Sequence, residues 1–275
     1  MEKIDFSNMG LNSNAKPMTN REILQEKIKA YNESIGHLNE IDGIKCEECN
    51  NKGYIMIEKY VDMYDDYSEF LIPCYCMKKR KIINNALRSG LGEYLNKRSK
   101  DYLVHSDWQE QNKQKMIHYC KEHSTNGTWF TILGQSGSGK TLIGSIIANH
   151  LLYNMEREVA YITWTDFISK LKRDMMSDLT TDVSDYLEYI KKVDVLFIDE
   201  LLKKYNETDL KYIIEIINYR YQNDLKTIIT SEHNIDSLLN IDEATFSRMI
   251  EKSGCFVIDI PKDRNKNYRL RNIGK

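Results

Sequence analysis

Eight consecutive residues, Gly134-Gln135-Ser136-Gly137-Ser138-Gly139-Lys140-Thr141, fit the pattern G-x-x-x-x-G-K-[ST] at every fixed position. Glycines at these places let backbone N–H groups wrap around phosphate oxygens. Lys140 adds a compact positive charge, and the Thr141 hydroxyl can ligate Mg²⁺. The flanks fit the same chemistry. Trp129-Phe130-Thr131-Ile132-Leu133 reads as a strand, and Leu142-Ile143-Gly144-Ser145-Ile146-Ile147-Ala148 is apolar and helix-compatible. Strand, glycine loop and helix place a positive helix N-terminus against the phosphates. A chance glycine turn is set aside because a partner motif follows downstream.

That partner is Val193-Asp194-Val195-Leu196-Phe197-Ile198-Asp199-Glu200. Val195–Ile198 is a continuous apolar run, as expected of a parallel strand buried on both faces. It ends in two carboxylates at the strand's C-terminal edge, where open α/β sheets bind ligands. Asp199 would hold Mg²⁺, directly or through water, and Glu200 would orient and polarise the attacking water. Alone, Asp-Glu after a strand is equally a helix-start signal; behind a phosphate loop it reads as a hydrolytic pair. The candidate catalytic residues are therefore Lys140, Asp199 and Glu200. Gly134, Gln135, Ser136, Gly137, Ser138, Gly139, Lys140 and Thr141 would cradle ATP, with Thr141 and Asp199 on magnesium.

Four cysteines precede the loop, as Cys46-x-x-Cys49 and Cys74-x-Cys76. Gly53–Ile57 and Glu69–Ile72 read as two short strands joined by the acidic, tyrosine-rich segment 62–68. Such a hairpin would bring the pairs together, so that four thiolates could close a structural tetrahedral Zn²⁺ site. Lys45, Lys78, Lys79 and Arg80 would offset its charge. Unligated thiols are the bland alternative. A redox pair is disfavoured because no thioredoxin-like βαβ pattern surrounds Cys46. Cys120 and Cys255 lie elsewhere, and Cys255 reads as a small core residue.

These residues need elements to hold them. Residues 1 to about 18 are polar and expected to fray. Thr19 and Glu22 form a capping pair opening a helix to about His37, with Ile23, Ile28 and Tyr31 on its apolar side. After the hairpin come a basic helix from Met77 to about Ser89, ended by Gly90, and a linker over 91–107. A helix over about 109–123 leads into the phosphate-loop strand. Strands are expected near 128–133, 158–163, 193–198, 226–230 and 255–260, and helices near 141–153, 166–176, 184–191 and 209–222. The fold class is α/β: a five-stranded, mainly parallel sheet with helices on both faces, plus a small N-terminal α+β zinc-binding domain. The domains are placed at 1–105 and 106–275.

Composition is that of a globular chain. It has 275 residues, 41% hydrophobic and 29% charged, with a net charge of −2. Nucleic-acid binding would need a local basic patch, since there is no global positive field. No apolar run approaches the ~20 residues of a membrane span, and the N-terminus has no signal-peptide core, so a cytoplasmic protein is expected. Six cysteines there favour metal ligation or free thiols over disulfides.

Taken in order, these pieces make the chain resemble the AAA+ ATPases of the DnaC/DnaI helicase-loader family, related to the IstB transposition helpers. The resemblance is carried by the Cys46/Cys49/Cys74/Cys76 module, Gly134–Thr141, Tyr161-Ile162-Thr163-Trp164-Thr165-Asp166-Phe167 and Val195–Glu200. It continues through Ile217-Asn218-Tyr219-Arg220-Tyr221, Ile229-Thr230-Ser231 and Ser247-Arg248-Met249. It covers roughly residues 46–270. It implies an AAA+ core that self-assembles on a hexameric replicative helicase gripped by the N-terminal region. It also implies ATP-bound subunits on single-stranded DNA, released by hydrolysis, and no membrane partner. In that reading Arg248 is an arginine finger acting in trans, Arg269 contacts nucleotide in cis, and Arg220 lies at a subunit contact or on a helix surface. Two features depart from the family. Glu232 stands where a water-positioning Asn is usual, which shifts that role to Ser231 or Asn234 or weakens it. Only 27 residues follow Arg248, fewer than the ~50 of a full helical lid, so the lid is expected to be reduced or absent.

An IstB-like transposase helper would typically lack the cysteine module. A small-molecule P-loop kinase would need an arginine-rich lid, which residues 164–192 do not supply. A zinc nucleic-acid binder with a vestigial ATPase would not hydrolyse ATP. Candidate single-strand contacts are Lys170, Lys172 and Arg173, which read equally well as a solvated basic face.

Overall fold

The computed structural model describes residues 18–123, 126–176 and 180–270. The N-terminal stretch expected to fray lies, apart from Met18, outside them. The chain divides into two compact units at Arg80/Lys81, ahead of the boundary expected at 105/106.

In the first unit, α1 (Asn20–Glu33) opens on the capping box read from Thr19 and Glu22. The Glu22 amide donates to the Thr19 hydroxyl at 3.3 Å, and the Thr19 amide donates back to the Glu22 carboxylate at 2.7 Å. The helix ends at Ser34, earlier than expected. The short α2 (Leu38–Asp42) then closes on Gly43. Ile23, expected on the apolar side of α1, is exposed, while Ile28 and Tyr31 are half-buried.

β1 (Tyr54–Val61) and β2 (Asp66–Pro73) form an antiparallel hairpin with Ile57 opposite Phe70 and Tyr60 opposite Tyr67. The segment expected to connect them shrinks to a turn over 62–65. Residues 66–68 join β2, because the Tyr60 and Tyr67 rings meet edge-on at 5.3 Å across the strands and extend the ladder. α1 lies along one face of the hairpin, where Arg21 pairs with Glu58 and Lys27 with Glu69.

α3 (Cys76–Ala86) is prolonged by a wide turn, Leu87–Leu91, in which Gly90 takes a left-handed φ of 94°. The linker expected over 91–107 is instead part of the second unit. Leu91, Leu95 and Tyr102 are buried, and the Asn149 amide donates to the carbonyls of Tyr94 and Lys97 at 2.5 and 2.9 Å.

The second unit is built on a parallel sheet. α4 (Asp107–Glu122) leads into β3 (Phe130–Gly134), and α5 (Lys140–Tyr153) into β4 (Val159–Thr163). Next come α6 (Trp164–Met176), α7 (Thr180–Lys192), β5 (Val195–Leu201), α8 (Glu207–Gln222) and β6 (Lys226–Ser231). α9 (Ile235–Ile241), α10 (Glu243–Ser253) and β7 (Val257–Ile260) complete it. The strand order is β4-β5-β6-β3-β7, with every pairing parallel.

β3, β5 and β6 are buried almost throughout, as continuous apolar strands covered on both faces must be. On one face Leu133, Leu196 and Ile198 join α6, α8 and α10 in the main core. On the other, Phe130 meets Tyr119 of α4, and Phe197 lies against α5. That last contact demands Gly144, because a Cβ there would come within 2.4 Å of the Phe197 ring.

Arg220 differs from expectation. It lies neither at an exposed helix surface nor free for a subunit contact, but is fully buried. Its guanidinium donates to the carbonyls of Ile190, Lys191 and Val193 at 3.3, 2.9 and 2.9 Å and to the Thr227 hydroxyl at 3.0 Å. It thereby satisfies the carbonyls that the end of α7 leaves without helical partners. Cys255 also departs from its core assignment. It is exposed in a tight turn, while Phe256 fills the core against Tyr119 at 5.1 Å.

Candidate nucleotide site and candidate metal centre

The Lys140 ammonium donates to the Gln135 carbonyl at 2.8 Å, as does the Ser138 hydroxyl. Burial lowers Lys140 below its ordinary value, while the carboxylates of Glu232, Asp199 and Glu200 pull it back up. The loop is clasped from the C-terminal side. Gln135 and Asp263 exchange two hydrogen bonds of 2.6 and 2.8 Å, and the Tyr268 amide donates to the Gly137 carbonyl at 2.8 Å. Gly137 needs its freedom twice over: its φ is 76°, and a Cβ would strike Asn267 at 2.1 Å.

The two carboxylates of β5 occupy an irregularity. Ile198 pairs with Ile229 of β6, but the next pair is Leu201 with Ser231, so β5 carries one extra residue. A bulge of this kind re-aims side chains. Glu200 sits in it with a left-handed φ of 55°, and its amide donates to the Thr230 hydroxyl at 3.0 Å. Asp199 is 3% exposed. It accepts from the Thr141 hydroxyl at 3.0 Å, from the Tyr161 hydroxyl at 3.0 Å and from the Thr230 hydroxyl. Burial raises Asp199 above the usual carboxylate range, and these three donors offset part of the rise. A dication beside it would favour the charged form.

Around these groups lies a cavity of about 430 Å³, lined among others by Tyr102, Leu103, Ser136–Thr141, Glu200 and Arg269. That volume suits a small-molecule ligand. Tyr102 and Tyr268 are lining residues that the motifs do not single out, whereas Tyr161 and Thr230 lie in segments that carry the resemblance without a role assigned to them. At the end of β6 the cavity is lined by Thr230 and Glu232. Ser231 and Asn234, either of which is an alternative to a weakened water-positioning role, make other hydrogen bonds. Ser231 donates to the Leu201 carbonyl at 2.8 Å, and Asn234 caps α9 by accepting from the Ser237 amide at 2.9 Å.

Residues 104–255, more than half of the chain, match the family described as the bacterial DnaA ATPase domain. The chain belongs to that family. Uncharacterized protein YqaM of Bacillus subtilis (strain 168) is 29% identical over 232 residues, covering 78% of this chain and 70% of YqaM. The replicative helicase loader DnaC of Buchnera aphidicola subsp. Schizaphis graminum is 27% identical over 126 residues, which is 46% of this chain and 50% of the loader. The crystal structure of the DnaC helicase loader superposes with a TM-score of 0.54 at 22% identity, over 61% of this chain and 99% of that one. The fold of the second unit is thus the AAA+ fold.

The two arginines are placed differently. Arg269 lines the nucleotide cavity and donates to the Ser136 hydroxyl at 3.1 Å. Arg248 is not brought to the cavity; it donates to Asn218 of α8 at 2.6 Å, with its guanidinium 5.9 Å from the Tyr221 ring. On α6, Lys170 lies 3.7 Å from the Tyr186 ring and Lys172 pairs with Asp209 at 2.7 Å, while Arg173 is exposed.

In the first unit the sulfurs of Cys46, Cys49, Cys74 and Cys76 all lie within 4.8 Å of one another and are buried. Cys46–Cys74 and Cys49–Cys76 are each 3.7 Å apart. A tetrahedral site with Zn–S of ~2.3 Å has sulfur edges of ~3.8 Å, so the donor set fits zinc. Burial pushes Cys74 up to about 12. Against the same burial, hydrogen bonds from the Cys49 amide and the Tyr75 hydroxyl bring Cys46 down to about 7. Four thiolates in so small a volume need a cation to hold them charged. Of the four basic residues expected to offset that charge, Arg80 does so directly. It donates to Cys76 Sγ at 3.3 Å, is locked to Asp42 at 2.6 Å and reaches the Ile44 carbonyl at 2.9 Å. Lys45 and Lys78 are exposed.

Proposed function

We propose that this chain is a cytoplasmic ATPase that loads the hexameric replicative DNA helicase onto single-stranded DNA, hydrolysis being the step that releases the loader. The observation that carries the reading is one cleft holding the phosphate loop, the Thr141–Asp199 pair, Glu200 and Arg269, in a chain akin in sequence to replicative helicase loaders. The DnaA-type family membership supports the ATPase part.

In this reading the amides of Gly134–Thr141 and the Lys140 ammonium hold the β- and γ-phosphates. Thr141 and Asp199 hold Mg²⁺, which when bound neutralises charge on the phosphate oxygens. Glu200 accepts a hydrogen bond from the attacking water, and Arg269 adds positive charge in cis. Arg248, turned away from its own cleft, acts on the nucleotide of a neighbouring copy assembled on the helicase. The four cysteines hold a structural Zn²⁺ in the N-terminal region, residues 1–105, which grips the helicase; residues 106–275 supply the ATPase domain.

The test is transfer of the helicase from host cells onto circular single-stranded DNA, with the full chain and ATP. Transfer should depend on ATP, vanish with Lys140→Ala, and fall with Arg248→Ala although that variant still binds nucleotide. Transfer equal with and without this protein would remove the loader reading.

A further inference from the structure

Glu200 carries an ion pair that its role toward water does not require. Its Oε1 lies 2.6 Å from Nζ of Lys203, three residues on. The two meet across a tight turn in which Glu200 and Leu202 both take left-handed φ values, 55° and 57°, and the Lys203 amide donates to the Glu200 carbonyl at 3.0 Å. Such backbone is tolerated where the surroundings over-determine it. The two side chains remain 39% and 35% exposed, so water can replace either partner and the pair is free to open. A second acid stands nearby. The Glu232 carboxylate lines the nucleotide cavity, and Lys203 and Glu232 both line a second cavity that shares Glu232 with it. Both carboxylates raise the Lys203 ammonium above its ordinary value, Glu200 by its hydrogen bond first.

A carboxylate polarises water by offering it a free oxygen lone pair. An ammonium bonded to that carboxylate draws its charge away and fixes its rotamer. We propose that Lys203 is a positioning residue that holds Glu200 in a resting ion pair, so that hydrolysis requires the ammonium to leave Glu200, with Glu232 as its second acceptor. This rests on the ATPase reading of the cleft. The step being gated is balanced. Water oxygen bonds to the terminal phosphorus, the bond from that phosphorus to the bridging oxygen of ADP breaks, and the water proton passes by way of Glu200 to the phosphate or solvent.

The experiment is steady-state ATP turnover and nucleotide affinity of the full chain with Lys203→Met. The expected result is a kcat raised about fivefold, the size set by an ion pair this exposed, with KM and affinity unchanged within about twofold. Lys203→Arg should restore the low rate, because it keeps the charge. In a Glu200→Gln background Lys203→Met should add nothing, since the carboxylate it restrains is gone. A kcat for Lys203→Met equal to or below that of an active wild type overturns the latch while leaving the ATPase reading intact. A wild type that binds no nucleotide overturns both.

Discussion

Lys226, the first residue of β6, is 5% exposed. Its ammonium donates to the His123 and Thr128 carbonyls at 2.7 and 3.1 Å and to the Tyr119 hydroxyl at 3.0 Å. Burial lowers it from 10.5 to about 8. Below that lower value the folded and unfolded chains both carry the proton, and the cost of burying the charge is constant. Between about 8 and 10.5 the unfolded chain binds a proton that the folded chain has released, so folding stability rises with pH there. Chemical denaturation of wild type and Lys226→Met across that range should show wild type gaining relative to the variant; a flat difference contradicts the assignment. At this scale the legible residues were those whose chemistry is written in contiguous sequence. Lys140, Thr141, Asp199 and Glu200 fall in one cleft because a loop and a strand end fix their spacing. Tyr161 and Thr230 close on Asp199 from two other strands; both lie in segments that carry the resemblance, but nothing in those segments assigns them to the carboxylate. Ser231 and Asn234 make other hydrogen bonds, which leaves a weakened water-positioning role as the remaining expectation, because sequence proximity to the phosphates does not reveal which hydroxyl or amide the backbone has already taken.

Arg220 shows how an element can depend on one side chain. It joins the end of α7, the approach to β5 and the start of β6 through carbonyls rather than through a salt-bridged carboxylate, and so could not be inferred from charge pairing. Arg220→Met should lower stability by ~3 kcal/mol or more, because several buried carbonyls lose their donors at once. A urea midpoint shift measures it, and a loss under ~1 kcal/mol would mean the carbonyls find other partners. The metal centre belongs to the same scale. One equivalent of zinc per chain is expected in freshly purified, reduced protein. A chelator should unfold the first unit while nucleotide affinity persists, whereas near-zero zinc would refute the four-thiolate centre. The five strands of the sheet were readable because each is a short apolar run bounded by polar residues. The hairpin extends beyond its apolar runs because its outer half is polar and held by the Tyr60–Tyr67 pair. The segment after Gly90 carries no helical or strand period in sequence because its buried anchors, Leu91, Leu95 and Tyr102, are scattered among polar residues.

For the whole molecule, composition and charge settle little beyond a globular chain without a global positive field. Order along the chain says more: a four-cysteine unit precedes a DnaA-type ATPase domain, and the chain is 27% identical over 126 residues to a replicative helicase loader. The central claim is a physical partnership, so the most direct measurement is co-elution of the full chain with the hexameric replicative helicase of its host in size-exclusion chromatography, with ATP and Mg²⁺ present. The account predicts one complex containing both proteins. Separate elution of a helicase hexamer and a chain that still binds ATP would contradict it, and would leave an ATPase helper of a transposase as the better reading.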